Sequence, residues 1–273
     1  MTCLYELKET LLTLDDLGLD LGGKPILSGV NARVRNVTRP GVLQGQVIGV
    51  LGPSGVGKTQ LFRLLSGLTL PDRGRVLLGP KQEPVERGQV GVVAQAYPLF
   101  EHYSVLQNLI VAARQHGLGK AEARKQAEDM LTRFALQECA NAYPALLSGG
   151  QRQRVAIAQQ LIRPKSLLLM DEPFSGLDLK MIRAVCALLA EVSLQNEELT
   201  TVVVTHDINA ALSIADTLWL LGRPRATDGK CQGARIVHTI DLMERGLAWH
   251  PDVMHAPAFE STKREVERRF ATL

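Results

Sequence analysis

The chain has 273 residues, 45% of them hydrophobic and 22% charged, with a formal net charge of +3. That balance excludes a disordered or collagen-like chain, and so small a positive excess leaves no footprint for nucleic acid as a partner. The length suits one large α/β domain with at most a modest tail. Short alternating or apolar runs at 11–14, 32–37 and 46–51 predict a sheet-rich start. The stretch 52–59 opens a helix at about 60–66, and Pro71, Asp72, Arg73 and Gly74 turn the chain into a strand at 75–78. From 104 to 163 the pattern is helical, with 120–136 rich in Ala, Glu, Lys and Arg and apolar at helical spacing. Buried strands at 166–170 and 201–205 then flank a helix expected at about 180–194, a parallel crossover unit. Past Leu221 the Gly, Pro and Arg content rises, and the charged run 263–269 predicts a terminal helix.

The longest apolar stretches are strand-sized, far short of the ~20 residues of a membrane-spanning helix. Residues 1–10 lack a basic start followed by an apolar core, so no secretory leader is expected and a cytoplasmic location follows. Cys3, Cys139, Cys186 and Cys231 are scattered without a C-x-x-C pair, which argues against a structural zinc site and a disulfide framework.

The chemistry begins at Gly52, Pro53, Ser54, Gly55, Val56, Gly57, Lys58 and Thr59, set between an apolar strand and a helix. Glycines in such a loop let successive backbone N–H groups converge on an anion, and the helix N-terminus adds partial positive charge. This is a phosphate-binding loop, with Lys58 on the β and γ phosphates and the Thr59 hydroxyl on Mg²⁺. A second element, the apolar run 167–170, carries Asp171 and Glu172 to the C-terminal end of a strand. In a parallel sheet that end lies beside the phosphate loop. Asp171 is expected to assist Mg²⁺ through a water, and Glu172 to polarise the attacking water as general base.

Just upstream of the acidic strand stands Leu147, Ser148, Gly149, Gly150, Gln151, Arg152, Gln153 and Arg154. This segment resembles the signature motif of the ABC ATPases, and its order between phosphate loop and Asp-Glu pair matches that family. The resemblance extends over roughly 11–221. It implies an α/β fold with the P-loop NTPase core of ABC type, an antiparallel β subdomain, and an inserted helical subdomain at about 96–165. The domain is placed at 1–240 and a helical tail at 241–273. Ser148, Gly149, Gly150 and Gln151 open a helix as a second anion cup, which the chain does not need for its own nucleotide. The resemblance assigns that cup to another chain's γ phosphate, so two copies clamp two ATP molecules head to tail. By the same likeness Gln95 senses Mg²⁺ and the water, Asp178 contacts the opposing site, and His206 reaches the γ phosphate.

The sequence departs from the family pattern in three places. Leu21 stands where relatives carry an aromatic that stacks on adenine, so apolar contact replaces stacking of ~1–3 kcal/mol. Gln60 stands where Thr or Ser is common. The hairpin around 36–43 is longer than the expected short turn, which reads as a partner contact or a tolerated surface insertion. A single cassette implies separate membrane permease subunits, docking at the groove between the Gln95 loop and the helical subdomain through residues 96–108. The family likeness is greatest to bacterial importer subunits for small polar solutes of the nitrate, sulfonate or amino-acid type, served by an external solute-binding protein. That places the chain on the inner face of the cell membrane, held there by the permease. The readings weighed against it are an exporter or lipid-handling ATPase, and a soluble ABC ATPase working on ribosomes or DNA. Intact Lys58, Asp171, Glu172 and His206 disfavour a scaffold that binds nucleotide without hydrolysing it.

Overall fold

The structure is a computed structural model that describes residues 5–38, 45–115, 117–162, 166–174, 199–224, 232–248, 250, 252–271 and 273. The chain starts with two long antiparallel strands, β1 (Glu6–Leu21) and β2 (Lys24–Thr38), turned at Gly22 and Gly23. Both outrun the expected 11–14 and 32–37. Residues 6–9 of β1 are exposed, so backbone pairing continues there without a buried face; toward the turn β1 adds 15–21 and β2 adds 24–31, where Leu17, Leu19, Leu27 and Val30 are buried. With β4 (Arg73–Leu78) and β5 (Glu83–Pro84) they form an antiparallel sheet in the order β2-β1-β4-β5. The helix 180–194 and Ser175, Gly176, Leu177 and Asp178 lie outside the described residues, as do 39–44 of the hairpin extension.

The second sheet has the order β10-β9-β3-β8-β7-β6. Its parallel members are β3 (Gln46–Leu51), β6 (Gly91–Val93), β7 (Leu167–Asp171), β8 (Thr200–Thr205) and β9 (Thr217–Gly222), while β10 (Arg235–Asp241) joins the edge antiparallel to β9. Every residue of β3 and β8 is buried, as expected of parallel strands covered on both faces. The alternation along β7 divides two cores. Leu167 and Leu169 pack with Leu61 and Leu65 of α1 (Lys58–Leu65) and with Leu14 and Leu27 of the hairpin. Leu168 and Met170 face the helical subdomain. Each such buried side chain contributes about 1.5–3 kcal/mol over its exposed state.

The helical subdomain consists of α2 (Val105–Arg114), α3 (Lys120–Arg133) and α4 (Gly149–Leu161). Ser104 caps α2 and Ser148 caps α4, each in a reciprocal box with the Gln three residues on. On α3 the buried stripe is Ala123, Ala127 and Leu131, spaced by four. Helix α3 stops short of the expected residue 136. Leu136 N–H bonds Leu131 O at 2.8 Å and Ala135 N–H bonds Thr132 O at 3.2 Å, with Ala135 at φ 50°. This is a Schellman stop, with Ala in the place that glycine usually takes.

After α5 (Ile208–Ile214) and β9, the chain ends in α6 (Phe259–Phe270). The boundary placed at residue 240 falls inside β10. Leu242, Leu247, Phe259 and Val266 share one buried cluster with Leu218 and Leu220 of β9, so the tail completes the core on that side of the sheet. Arg245 and Arg269 both bind the Glu265 carboxylate, which their hydrogen bonds pull down to about 2.

Candidate functional site

Parallel pairing sets the site. Leu51 is opposite Thr205, and Asp171 is opposite Val204, so β3, β7 and β8 end on one edge about 5 Å apart from strand to strand. The segments that leave these strand ends therefore gather at one place: the loop from Gly52, the Glu172 carboxylate, and His206. The cleft they form is about 490 Å³. Its polar wall is Ser54, Gly55, Gly57, Lys58, Thr59 and Gln60 from the loop, with Gln95, Asp171, Glu172 and His206 opposite. Leu21 and Ile26 from the β1–β2 hairpin close the apolar end.

The loop geometry depends on glycine at three positions, Gly55 among them with φ 75°. A Cβ on Gly52 would sit 2.7 Å from Leu221 O, and Gly57 has φ 121°. Gly57 is also the N-cap of α1, and no side chain caps that end. The first N–H groups of a helix have no intrahelical partner, and no acidic residue occupies the first turn here, so the end is open to an anion. Pro53 and Val56 complete the turn, Val56 N–H bonding Pro53 O at 3.3 Å. Lys58 is nearly buried, its Nζ donating to Gly52 O at 2.7 Å and Pro53 O at 3.1 Å. Burial lowers its pKa, against the opposing pull of Glu172 and Asp171.

Asp171 is half-buried, and desolvation, with the Glu172 charge beside it, raises its pKa against the pull of Lys58. Glu172 has a left-handed backbone, φ 48°, and its N–H continues the ladder to Val204 O at 2.8 Å. Its Oε2 accepts from Thr205 Oγ1 at 3.2 Å and lies 2.9 Å from His206 Nδ1. His206 is itself exposed toward the cleft. Behind the acids, Pro173 O accepts from Gln153 Nε2 at 2.7 Å and from Tyr97 Oη at 3.1 Å.

The structure thus brings together Ser54, Gly55, Gly57, Lys58, Thr59, Gln60, Leu21, Gln95, Asp171, Glu172 and His206, while Gly52 and Pro53 hold the Lys58 ammonium through their carbonyls and Val56 is buried in the core. It does not bring Ser148, Gly149, Gly150 or Gln151 into that cleft. Those four begin α4, where Ser148 Oγ accepts from Gln151 N–H at 3.3 Å and Gln151 Oε1 from Ser148 N–H at 2.9 Å. Among the described residues nothing lies within 4 Å of a Cβ built on Gly149, so no described neighbour demands glycine there. Two contributors escaped the sequence reading. Ile26 stands one residue before the buried Leu27 on β2, and strand alternation from Leu27 puts it on the cleft face. Arg223, just past β9, reaches Gly55 O at 3.4 Å, and no sequence pattern announces it.

Comparison with known proteins points the same way. Residues 39–175 match the family profile described as ABC transporter. The ferric-ion import ATP-binding protein FbpC of Agrobacterium fabrum is 42% identical over 177 residues, 64% of this chain and 50% of its own length. The spermidine/putrescine import ATP-binding protein PotA of Marinobacter nauticus is 38% identical over 219 residues, 79% of this chain and 56% of its own. The sulfate/thiosulfate import ATP-binding protein CysA of Xanthomonas campestris is 41% identical over 191 residues, 67% and 55%. The chain spans about half the length of the curated relatives it matches. Among solved structures, cbiO1 of Clostridium perfringens, described as part of the ABC transporter complex cbiONQ, superposes with a TM-score of 0.72 at 25% identity, covering 96% of this chain and 94% of that one. A bacterial ABC transporter cassette solved as a dimer gives 0.67 at 25% identity, covering 85% and 99%. Profile, relatives and superposed folds agree with the motif order around the cleft: the chain belongs to the ABC transporter family, and its fold is that family's ATP-binding cassette.

Proposed function

We propose that the chain binds MgATP in the cleft, hydrolyses it as one of two head-to-tail cassettes, and drives a solute importer through separate membrane permease subunits. The observation that carries this reading is the meeting of Lys58, Asp171, Glu172 and His206 at an uncapped helix N-terminus. The phosphates lie against the loop N–H groups and Lys58, whose ammonium exchanges Gly52 O and Pro53 O for phosphate oxygens. Leu21 and Ile26 take the base by apolar contact. Glu172, oriented through Thr205 and His206, accepts the proton of the attacking water, and His206 holds the γ phosphate.

The Asp171 carboxylate, Thr59 hydroxyl and Gln95 amide oxygen on one cleft suit Mg²⁺, which prefers oxygen ligands and keeps several waters. When bound, that ion neutralises charge developing on the transferred phosphoryl group. Ser148, Gly149, Gly150 and Gln151 lie outside this cleft and serve a second chain's γ phosphate; the family resemblance assigns Asp178 to the same interface. The pair is a homodimer in this reading.

A groove of about 560 Å³ between the sheet and the helical subdomain supports the permease assignment. It is lined by Leu68, Arg87, Val90, Leu99, Phe100 and Gln159 among others, and it overlaps the segment 96–108. Leu68 and Phe100 are 44% and 48% exposed on this one groove, an apolar surface suited to a partner's apolar residues. No helix among the described residues is long and apolar enough to cross a membrane; in this reading the permease is a separate chain and the cassette sits on the cytoplasmic face. The FbpC, PotA and CysA relatives are named for import of ferric ions, polyamines and sulfate or thiosulfate. Such unlike cargoes on like cassettes leave solute choice to the permease and an external solute-binding protein. The test has two readouts: phosphate release by the purified chain with and without Mg²⁺, and co-purification of a polytopic permease from detergent-solubilised membranes. Recovery only from the soluble fraction, with ribosomal or DNA-bound partners, contradicts the transport half and leaves the ATPase half standing.

A further inference from the structure

We infer that Tyr97 and Gln153 are positioning residues that hold the Glu172 carboxylate in place by clamping the carbonyl of the next residue, Pro173. The inference rests on the reading of Glu172 as general base. A residue before proline is driven toward extended backbone, and a left-handed conformation costs a non-glycine residue roughly 1–2 kcal/mol. Glu172 precedes Pro173 and has φ 48°, so it meets both penalties. Such a backbone persists only where its surroundings over-determine it. Upstream, the Glu172 N–H is tied to Val204 O at 2.8 Å. Downstream, both acceptor sites of Pro173 O are taken, by Gln153 Nε2 at 2.7 Å and Tyr97 Oη at 3.1 Å.

Gln153 is fully buried, and its Oε1 has no hydrogen-bond partner among the described residues. An unsatisfied buried acceptor costs about 1–3 kcal/mol, which an apolar side chain of similar volume avoids. For packing alone glutamine is the worse residue, and its donated N–H is what the position gains. Tyr97 is fixed on its own side as well. Its carbonyl accepts from Arg152 Nε at 3.3 Å, Arg152 is paired with Glu101, and burial pushes the phenol up to about 12, which keeps the O–H a donor. Neither Tyr97 nor Gln153 lines the nucleotide cleft, so both act through Pro173.

The experiment measures MgATP turnover, KM, MgATP binding and thermal midpoint for the full chain, for Tyr97→Phe, Gln153→Met and their combination, with Glu172→Gln in parallel. Each clamp variant is expected to lower kcat about tenfold, a barrier change of about 1.4 kcal/mol, with KM and the binding constant unchanged. The thermal midpoint of Gln153→Met is expected to hold or rise. The double variant loses less than the product of the single losses, because both side chains serve one carbonyl. Parent-like kcat in both single variants overturns the inference, as does a KM that rises in step with any fall in kcat. Retained turnover in Glu172→Gln overturns the base assignment and the clamp with it. An inactive Glu172→Gln beside parent-like clamp variants removes the clamp alone.

Discussion

Lys58 shows how one side chain holds the loop while serving, in the proposed function, as the phosphate ligand. Its ammonium bridges Gly52 O and Pro53 O, so truncation leaves two loop carbonyls without their donor as well as removing a charge. Lys58→Ala is expected to weaken MgATP binding by about tenfold or more, and to cost about 1–3 kcal/mol of stability. Calorimetric titration and thermal unfolding of the purified variant check both. The loop, Asp171, Glu172 and Thr59 were legible in the sequence because phosphate chemistry fixes their spacing along the chain. Ile26 and Gln153 were not, since each reaches its place through a strand face or a helix turn that meets a distant segment. Tyr97 meets Pro173 across 76 positions of sequence, a separation no local pattern records.

Among the elements, those with a strong period and a sharp boundary signal were read most closely. β3 runs over the expected residues 46–51, bounded by Gly52. The end of α3 was misread because Ala135 carries none of the usual marks of a helix stop; burial of Phe134 and Leu136 on either side of it turns the chain. Ala135 at φ 50° bears a strain that glycine does not. Ala135→Gly is therefore expected to stabilise the protein by about 0.5–1 kcal/mol, raising the thermal midpoint by about 2 °C. A lowered midpoint contradicts the Schellman reading. The β1–β2 hairpin runs past its apolar pattern at both ends: residues 6–9 pair through backbone groups on an exposed edge, and register shifts between Leu14 and Leu19 break the side-chain alternation toward the turn.

For the whole molecule, the separation of the two helix ends proposed to bind phosphate is the informative fact. One end lies in the cleft with the acids, and the other, at Ser148 and Gly149, is exposed on the helical subdomain. A substitution at Gly149 meets open space among the described residues, so Gly149→Glu is expected to fold with its midpoint unchanged and to bind MgATP like the parent. Its carboxylate would face the partner's phosphates, and turnover is expected to fall at least about a hundredfold. Equal turnover in Gly149→Glu and parent contradicts a shared site. Family membership and the cassette fold were readable from motif order alone; the closeness of the tail to β9 was not, because its apolar residues, Leu242, Leu247, Phe259 and Val266, follow no single period.

The most direct test of two chains sharing hydrolysis centred on Glu172 is Glu172→Gln, measured for phosphate release and for mass in solution with and without MgATP. The account predicts nucleotide binding like the parent, no turnover, and a stable dimer that appears only with MgATP. Turnover at the parent rate, or a variant that stays monomeric with nucleotide bound, contradicts it.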